Sequence, residues 1–301
     1  MSEIIRKSSG KEITSKDIET IKWARKRYPQ LSHEEFVKTV CEIIEWTTPA
    51  GAPKSTACKK FLKEIEKEGL IELPPIRAKK KSAHKEKREL ELTITNEDII
   101  GIVGDFSPIS LEIAYVGENL KRWRKYVSEY HMLGDKLVYG SRLQYFIKAG
   151  DQELGCVQFS ASAWSLSNRD LWIKWDVEDR KQRLHLIVNN SRFLIFPWVK
   201  IKNLASTVLS IAIKQIRKDW LREFCYEPVL LETFVDTSHF KGTCYKAANW
   251  EYLGETKGRG RNDRNYEYAL SPKAIYMYPL KGDFRKYLRG EKMYKVENRD
   301  E

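Results

Sequence analysis

The sequence predicts an α/β protein in which an N-terminal helical module precedes a larger domain built around a mixed sheet. Three observations support this prediction. Residues 1–75 contain three short amphipathic helical segments, residues 76–89 are basic and poor in apolar side chains, and residues 90–290 alternate between strand-like and helix-like patterns. Residues 291–301 are predicted to form a polar tail.

The composition indicates a basic protein that attracts polyanions. The 301 residues include 54 Lys and Arg against 42 Asp and Glu, which gives a formal net charge of +12. This excess makes nucleic acid the leading class of partner. Charge alone does not distinguish a nucleic-acid-binding protein from a moderately basic protein without such a partner.

The cysteines and the apolar segments exclude several other classes. Five cysteines stand singly, and no histidine follows at ligand spacing, so neither a zinc site nor a disulfide framework is indicated. No stretch approaches the roughly 20 apolar residues of a membrane span, and no signal-peptide pattern opens the chain. We therefore expect a cytoplasmic protein with reduced thiols and no membrane partner.

The first two helical segments begin with recognisable caps. Thr14 and Asp17 form a capping pattern, and a mostly one-sided set of apolar residues follows until Pro29. Ser32 and Glu35 form a capping box in front of a second apolar stripe. The next residues, 47–54, contain two prolines and a glycine and are predicted to form a connector.

A third helix is predicted to start at the cap Ser55 and to end at Gly69. Its apolar residues recur at helical spacing, whereas Lys59, Lys60, Lys63 and Lys67 face away from them. Three helices with a cationic last member are typical of a helix-turn-helix module, whose recognition helix enters the major groove. The alternative is a solvated helix face, and the connector is longer than the tight turn of that motif. The predicted DNA-binding residues are Lys54, Ser55, Lys59, Lys60 and Lys63.

A basic linker separates the two predicted domains. Residues 76–90 hold seven Lys and Arg against two acidic residues and have too little apolar content to form a core. Such a segment can follow a phosphate backbone and make binding strongly dependent on salt, with Lys79, Lys80 and Lys81 as contacts. A plain flexible tether is the alternative, and the two roles are compatible.

The pattern of the second domain predicts a sheet flanked by helices. We expect an antiparallel hairpin around residues 149–152 and an amphipathic helix over 204–220. The other predicted helices cover 111–132, 170–184 and about 241–250, and the other predicted strands cover 192–197, 229–235, 251–256 and 274–280.

This order of elements resembles the second half of the GNAT acyltransferase fold. The segment YKAANWEYLGE at 245–255 is similar to the ending of that family, and Tyr245 falls where many members keep a tyrosine that protonates the departing thiolate. The resemblance implies a GNAT-like domain and an acetyl-CoA loop at residues 200–206. Ile201, Asn203 and Ala205 stand where that loop has glycines, which removes the backbone freedom that pyrophosphate binding requires.

A second resemblance covers most of the chain. The blocks at 40–77, 193–206 and 228–261 resemble the Druantia DruA family, which occurs in anti-phage defence loci and beside transposases. This resemblance implies work on phage or mobile-element DNA and implies other defence-system or transposition proteins as partners. It is compatible with the GNAT-like fold.

Two loops of the second domain are candidate DNA contacts. The segment TKGRGR at 256–261 combines cations with glycines, an arrangement that suits a phosphate, although a solvated hairpin tip is the alternative. Trp198 is predicted to stack on a base or to fill the core. The predicted contacts are Lys257, Arg259, Arg261 and Arg264 in the first loop and Trp198, Lys200, Lys202 and Asn203 in the second.

Candidate catalytic residues lie at the end of a predicted strand. Glu232 and Asp236 share one face of that strand and could hold Mg²⁺ for phosphodiester chemistry, with Asp105 as a third ligand. The simpler alternative is that Asp236 caps a helix and that Glu232 neutralises an arginine. His239 is a candidate general base or a loop histidine. The sequence thus predicts a DNA-binding protein, with metal-dependent strand cleavage or joining and acetyl-CoA-dependent acyl transfer as alternative activities.

Overall fold

The computed structural model describes residues 4–8, 10–28, 31–46, 53–75, 97–135, 140–256 and 271–296. The chain divides into two compact units. The first contains the described residues up to 75 together with 140 and 141, and the second contains the described parts of 97–135, 142–256 and 271–296. The basic linker at 76–89 lies outside the described residues.

The N-terminal unit is a β-hairpin followed by three helices. The strands β1 (Ile4–Ser8) and β2 (Lys11–Thr14) pair antiparallel, and the helices are α1 (Ser15–Arg27), α2 (His33–Ile43) and α3 (Ser55–Lys67). The three helices were predicted from the sequence, whereas the hairpin was not. The apolar faces of the three helices meet in a core that includes Ile21, Phe36, Val40, Phe61 and Leu62.

Local hydrogen bonds explain where these helices begin. The Thr14 hydroxyl accepts a hydrogen bond from the Asp17 amide at 3.2 Å, and the Ser32 hydroxyl accepts one from the Glu35 amide at 3.4 Å. Both predicted capping boxes are therefore confirmed. The predicted cap of α3 was wrong, because Lys54 is the N-cap residue and Ser55 is already helical.

The second unit is built on a seven-stranded sheet. Its strands are β4 (Ile109–Ile113), β5 (Arg142–Ala149), β6 (Gln152–Ala161), β7 (Ile187–Ile195), β9 (Leu230–Asp236), β10 (Glu251–Glu255) and β11 (Lys273–Pro279). They lie in the order β10-β11-β9-β7-β6-β5-β4, and all neighbours are antiparallel except the parallel pair β7 and β9. The predicted mixed sheet and the β5–β6 hairpin are confirmed.

Helices cover both faces of this sheet. They are α4 (Glu118–Tyr130), α5 (Ser167–Ile173), α6 (Val177–Arg183), α7 (Leu204–Phe224), α8 (Thr243–Ala247) and α9 (Phe284–Leu288). Two neighbouring residues of β5 show the layering, because Tyr145 bonds Asp219 of α7 and Phe146 packs against Tyr126 of α4. The order β7, α7, β9, α8, β10 agrees with the predicted GNAT-like order.

Two predicted helices are interrupted. The segment 111–132 forms β4 and then α4, since Gly117 has a φ of 126° and breaks the chain between them. The segment 170–184 forms α5 and α6, separated by Lys174 in the left-handed region. A separate parallel pair joins β3 (Ile99–Ile102) to β8 (Val199–Lys202). Within the described residues, no helix is long and apolar enough to cross a bilayer.

Candidate nucleic-acid interface and buried ion-pair chain

Helix α3 presents an exposed row of cations, which we call the lysine stripe: Lys60, Lys63 and Lys67. Spacings of three and four residues place these side chains on one face of the helix. Within the described part of the chain, none of the three makes an ion pair or a hydrogen bond through its side chain. Their charges are therefore available to a ligand.

The carboxylates on α3 and just after its end make contacts within the same unit. Arg6 of β1 binds Glu64 at 3.2 Å and Glu68 at 2.6 Å. The carboxylate of Glu66 accepts the Leu73 amide at 2.9 Å. Glu64 and Glu68 are therefore paired with Arg6, whereas Glu66 keeps its charge beside the three unpaired lysines of the stripe.

The other predicted residues of this helix are less available. Lys59 forms an ion pair with Glu34 of α2, and its side chain is 35% exposed. Lys54 and Ser55 are half-buried. The sequence could not reveal the pair with Glu34, because the two residues are 25 positions apart and meet only when α2 packs on α3.

The predicted loop before α7 does not offer an aromatic side chain to a base. Trp198 is only 9% exposed and packs edge-to-face against Tyr130, with ring centroids 5.3 Å apart. Its predicted stacking role is therefore corrected to the alternative of a core residue. Lys200 is paired with Asp98, whereas Lys202 and Asn203 are exposed.

The same segment departs from a coenzyme-binding loop. Ile201 is 8% exposed and lies in β8, where it pairs with Gly101 of β3. Asn203 alone retains the left-handed conformation that glycine would adopt, with a φ of 66°. A regular strand with a buried isoleucine does not form a cradle of free backbone amides, so this geometry does not favour acetyl-CoA.

A chain of alternating charges runs from the sheet to the surface of the second unit. Arg169 and Glu232 are both 0% exposed, and Arg169 Nη1 lies 2.9 Å from Glu232 Oε2. Arg169 Nε lies 3.1 Å from Asp170, and Asp170 binds Arg180 at 3.0 Å. The second Glu232 oxygen accepts the Ala163 amide at 2.8 Å. Glu232 therefore neutralises an arginine, as the alternative interpretation expected.

The geometry of Glu232 and Asp236 does not fit a shared magnesium ion. Four strand positions separate the two Cα atoms by roughly 13 Å, and the two carboxylates bind different partners, Arg169 and the Ala163 amide in one case and Ser238 and Ser271 in the other. Asp105 accepts the Ile102 amide at 2.9 Å. Among the described residues, no three acidic, histidine or cysteine side chains form a group that could hold a metal. The catalytic roles of Glu232 and Asp236 stay predictions.

Tyr245 is buried where β7 and β9 separate. Their last paired residues are Asn189 and Glu232, and beyond them Tyr245 donates a hydrogen bond to Asn190 Oδ1 at 2.7 Å. Burial raises the pKa of Tyr245. A phenol enclosed in this way is poorly placed to give a proton to a ligand, so its predicted catalytic role stays a prediction without support from this geometry.

Asp236 organises an exposed turn at the end of β9. Its Oδ1 accepts the Ser238 hydroxyl at 2.5 Å and the Ser238 amide at 3.1 Å, and its Oδ2 accepts the Ser271 hydroxyl at 3.1 Å. The hydrogen bond from Ser238 is the main reason why the pKa of Asp236 falls to about 2. His239 Nδ1 lies 2.7 Å from the Ser238 hydroxyl.

Sequence reasoning missed Arg169 and Ser238. The contact of Ser238 with Asp236 could have been predicted, since Asp-x-Ser is typical of a turn in which the aspartate side chain accepts a hydrogen bond from the backbone amide two residues later. Arg169 carries no such local signal. Seven predicted DNA contacts lie outside the described residues: Lys79, Lys80, Lys81, Lys257, Arg259, Arg261 and Arg264.

Comparisons with solved structures find acetyltransferases and an N-acyl amino acid synthase, all at low similarity. Aminoglycoside acetyltransferase AAC(6')-Ib with coenzyme A and kanamycin has a TM-score of 0.38 and 11% identity, over 61% of this chain and 99% of that one. FeeM, an N-acyl amino acid synthase from uncultured soil microbes, has a TM-score of 0.34 and 13% identity, over 57% of this chain and 90% of that one. An N-acetyltransferase from Staphylococcus aureus Mu50 has a TM-score of 0.33 and 9% identity, over 57% of this chain and 97% of that one. Similarities at this level carry no argument about activity.

A search of curated proteins returns no match. The comparison with protein families returns one match. The family model described as Druantia protein DruA matches residues 64–268, which is more than half of the chain and includes the buried Arg169–Glu232 pair and the turn at Asp236. The chain therefore belongs to the Druantia protein DruA family.

Proposed function

We propose that this chain is a DNA-binding protein of a Druantia-type anti-phage defence system and that the lysine stripe of α3 contacts the phosphate backbone. The observation that carries the proposal is the set of three exposed lysines on one helix face, none of them paired within the described residues. Family membership supports the defence setting. Action on mobile-element DNA is the alternative setting.

The charge arrangement favours a polyanion over a protein partner of mixed charge. Arg6 pairs with Glu64 of α3 and Glu68 just after it, so within the described residues Glu66 is the one carboxylate of the helix that has no cationic partner to offset it near a phosphate backbone. Each phosphate that a lysine neutralises releases counterions, and log K falls by about 0.9 per contact for each tenfold rise in salt. Three contacts should therefore give a strongly salt-dependent affinity.

The first test compares binding to labelled duplex and single-stranded DNA at several salt concentrations. Changing Lys60, Lys63 and Lys67 together to Gln should reduce the salt slope by about 3. If the three contacts contribute nothing to the affinity at 1 M salt, the affinity of this variant at 0.1 M salt should be up to about 500-fold lower than that of the wild type.

A control variant with the same loss of charge separates a local contact from the general field of the protein. Lys7, Lys121 and Lys292 are exposed and paired with Glu12, Glu118 and Asp283. Changing these three to Gln should leave the salt slope within experimental error of the wild type. An equal loss of affinity in both variants would contradict the assignment to α3.

Acyl transfer is the alternative function, and the segment around Ile201 does not favour it. Calorimetry with acetyl-CoA should show no binding heat from the full chain. A measurable heat that disappears when Asn203 or Lys202 is substituted would restore the acyltransferase interpretation.

A further inference from the structure

The turn after β9 brings a hydroxyl, an imidazole and a carboxylate into direct contact. The Ser238 oxygen lies 2.5 Å from Asp236 Oδ1 and 2.7 Å from His239 Nδ1. His239 Nδ1 itself lies 3.7 Å from Asp236 Oδ1. Asp236 orients the hydroxyl, and a hydroxyl within hydrogen-bond reach of an imidazole is the core of an activated nucleophile.

The turn is accessible, and its other side chains suit a nucleic acid. Residues 237–241 are all exposed, and the His239 side chain is 59% exposed. Phe240, next in the chain, is 56% exposed although it is a large apolar residue. Lys241 follows it and makes no ion pair within the described residues. An exposed aromatic ring that could stack on a base and an exposed cation that could bind a phosphate therefore follow Ser238 within three residues.

We propose that Ser238 is a nucleophile that attacks a phosphodiester of DNA, with His239 as the general base and Asp236 as a positioning residue. This inference rests on the proposed DNA binding. It differs from metal-dependent cleavage, because every group that it requires is a side chain of one turn.

The reaction balances without an oxidant, a reductant or a metal. The Ser238 oxygen forms a bond to phosphorus and the bond from phosphorus to one deoxyribose oxygen breaks. The Ser238 hydroxyl, which donates to Asp236 Oδ1 in this structure, rotates to donate to the unprotonated Nδ1 of His239, and its proton moves there as the bond to phosphorus forms. The imidazolium then gives a proton to the released DNA oxygen, which becomes a hydroxyl. The product is a DNA strand joined to the protein through a serine phosphodiester, and the reverse reaction with a DNA hydroxyl rejoins a strand.

The two possible proton acceptors are not equivalent. Hydrogen bonds from Ser238 and Ser271 stabilise the ionised form of Asp236, whose pKa is about 2, so this carboxylate is a weak base. It is suited to orienting Ser238 and to stabilising a positive charge on His239. The imidazole is left as the group that accepts the proton.

The experiment incubates the full chain with end-labelled duplex, single-stranded and supercoiled DNA and separates the products on a denaturing gel. We expect labelled DNA that migrates with the protein, and mass spectrometry should place the linkage on Ser238. Labels at the 5′ and 3′ ends show which DNA end is attached and which hydroxyl is released.

Ser238→Ala is the decisive variant and Ser271→Ala is its matched control. Both remove a hydroxyl that donates to Asp236, but only Ser238 also contacts His239. S238A should lower adduct formation by at least about 100-fold, whereas S271A should change it by less than about threefold. His239→Gln should slow the reaction and alter its pH profile.

Binding is measured on the same samples by gel shift, which separates the two proposals. Wild type that shifts DNA without forming an adduct, or S238A that still forms the adduct, would overturn the role of Ser238 and leave DNA binding intact. Absence of any gel shift would instead overturn the proposed DNA binding and this inference with it. Circular dichroism of each variant checks that the fold is retained.

Discussion

Helix α3 and the α5–β9 region of the second unit use charged residues in opposite ways. In α3, three lysines are exposed and have no partner among the described residues, while neighbouring carboxylates are held by Arg6 and Leu73. In the second region, Arg169 and Glu232 are fully buried and bound to each other. The net positive charge of the chain therefore does not show which cations can bind a ligand, because some basic side chains are exposed and others are buried in ion pairs.

The two kinds of cation differ in their expected contribution to stability. Substituting an exposed lysine without a partner should change the free energy of unfolding by no more than about 0.5 kcal/mol. Removing one partner of a buried pair costs about 3–5 kcal/mol, because the remaining charge has no compensation. Substitutions in the two regions should therefore separate folding from binding.

The largest effect is expected from Arg169→Met. This change leaves Glu232 buried without its cation and should lower the free energy of unfolding by about 3–5 kcal/mol, measured by urea denaturation. The double variant R169M/E232L removes both charges and should recover most of this loss. If R169M lowers the free energy of unfolding by less than about 1 kcal/mol, the buried pair does not make the expected contribution to stability.

The buried pair also limits how the predicted catalytic role of Glu232 can be tested. Glu232→Ala breaks the buried pair, so a loss of DNA cleavage in that variant would not distinguish catalysis from unfolding. Glu232→Gln keeps the volume of the side chain and one oxygen that can accept from Arg169 or from the Ala163 amide, although its NH2 group then faces the other donor. It is therefore a less disruptive variant than Glu232→Ala for that purpose.

A second prediction concerns His131, which the interior keeps neutral. Burial, with a smaller contribution from Arg192, lowers the pKa of His131 to about 4 from the ordinary value of 6.5. The unfolded chain therefore binds this proton more readily than the folded chain. This contribution to stability is complete above pH 6.5 and is lost as the pH falls from 6.5 towards 4. Urea denaturation across this range measures it.

A variant tests whether the pH dependence belongs to this histidine. His131→Asn removes the titrating group and keeps an oxygen that can accept the Leu133 amide, which now bonds His131 Nδ1 at 3.1 Å. The loss of stability between pH 6.5 and 4 should become smaller in this variant. An unchanged curve would assign the pH dependence to other groups.

The smallest effects should distinguish two adjacent lysines of α3. Lys59→Gln breaks the exposed pair with Glu34 and should reduce stability by at most about 1 kcal/mol without changing the salt slope of DNA binding. Lys60→Gln should leave stability within about 0.5 kcal/mol and should reduce the slope by about 1. Thermal denaturation and binding titrations measure both. Identical slopes would remove the distinction between paired and unpaired lysines.

Local patterns determined several elements of this chain by themselves. The capping boxes at Thr14 and Ser32, the β5–β6 hairpin and most of α7 follow from residues within a few positions of one another. Their hydrogen bonds and apolar spacing are set by the sequence nearby, so reasoning from that sequence predicts them. The cationic face of α3 was predictable for the same reason.

Only the tertiary structure decided which charged and aromatic residues remain available. Lys59 meets Glu34 through the packing of α2 on α3, Arg169 meets Glu232 across 63 positions, and Trp198 packs against Tyr130. The sequence supplied these side chains and their charges. Their partners are distant in the chain and become neighbours only when the elements pack, so burial and pairing could not be derived from local pattern.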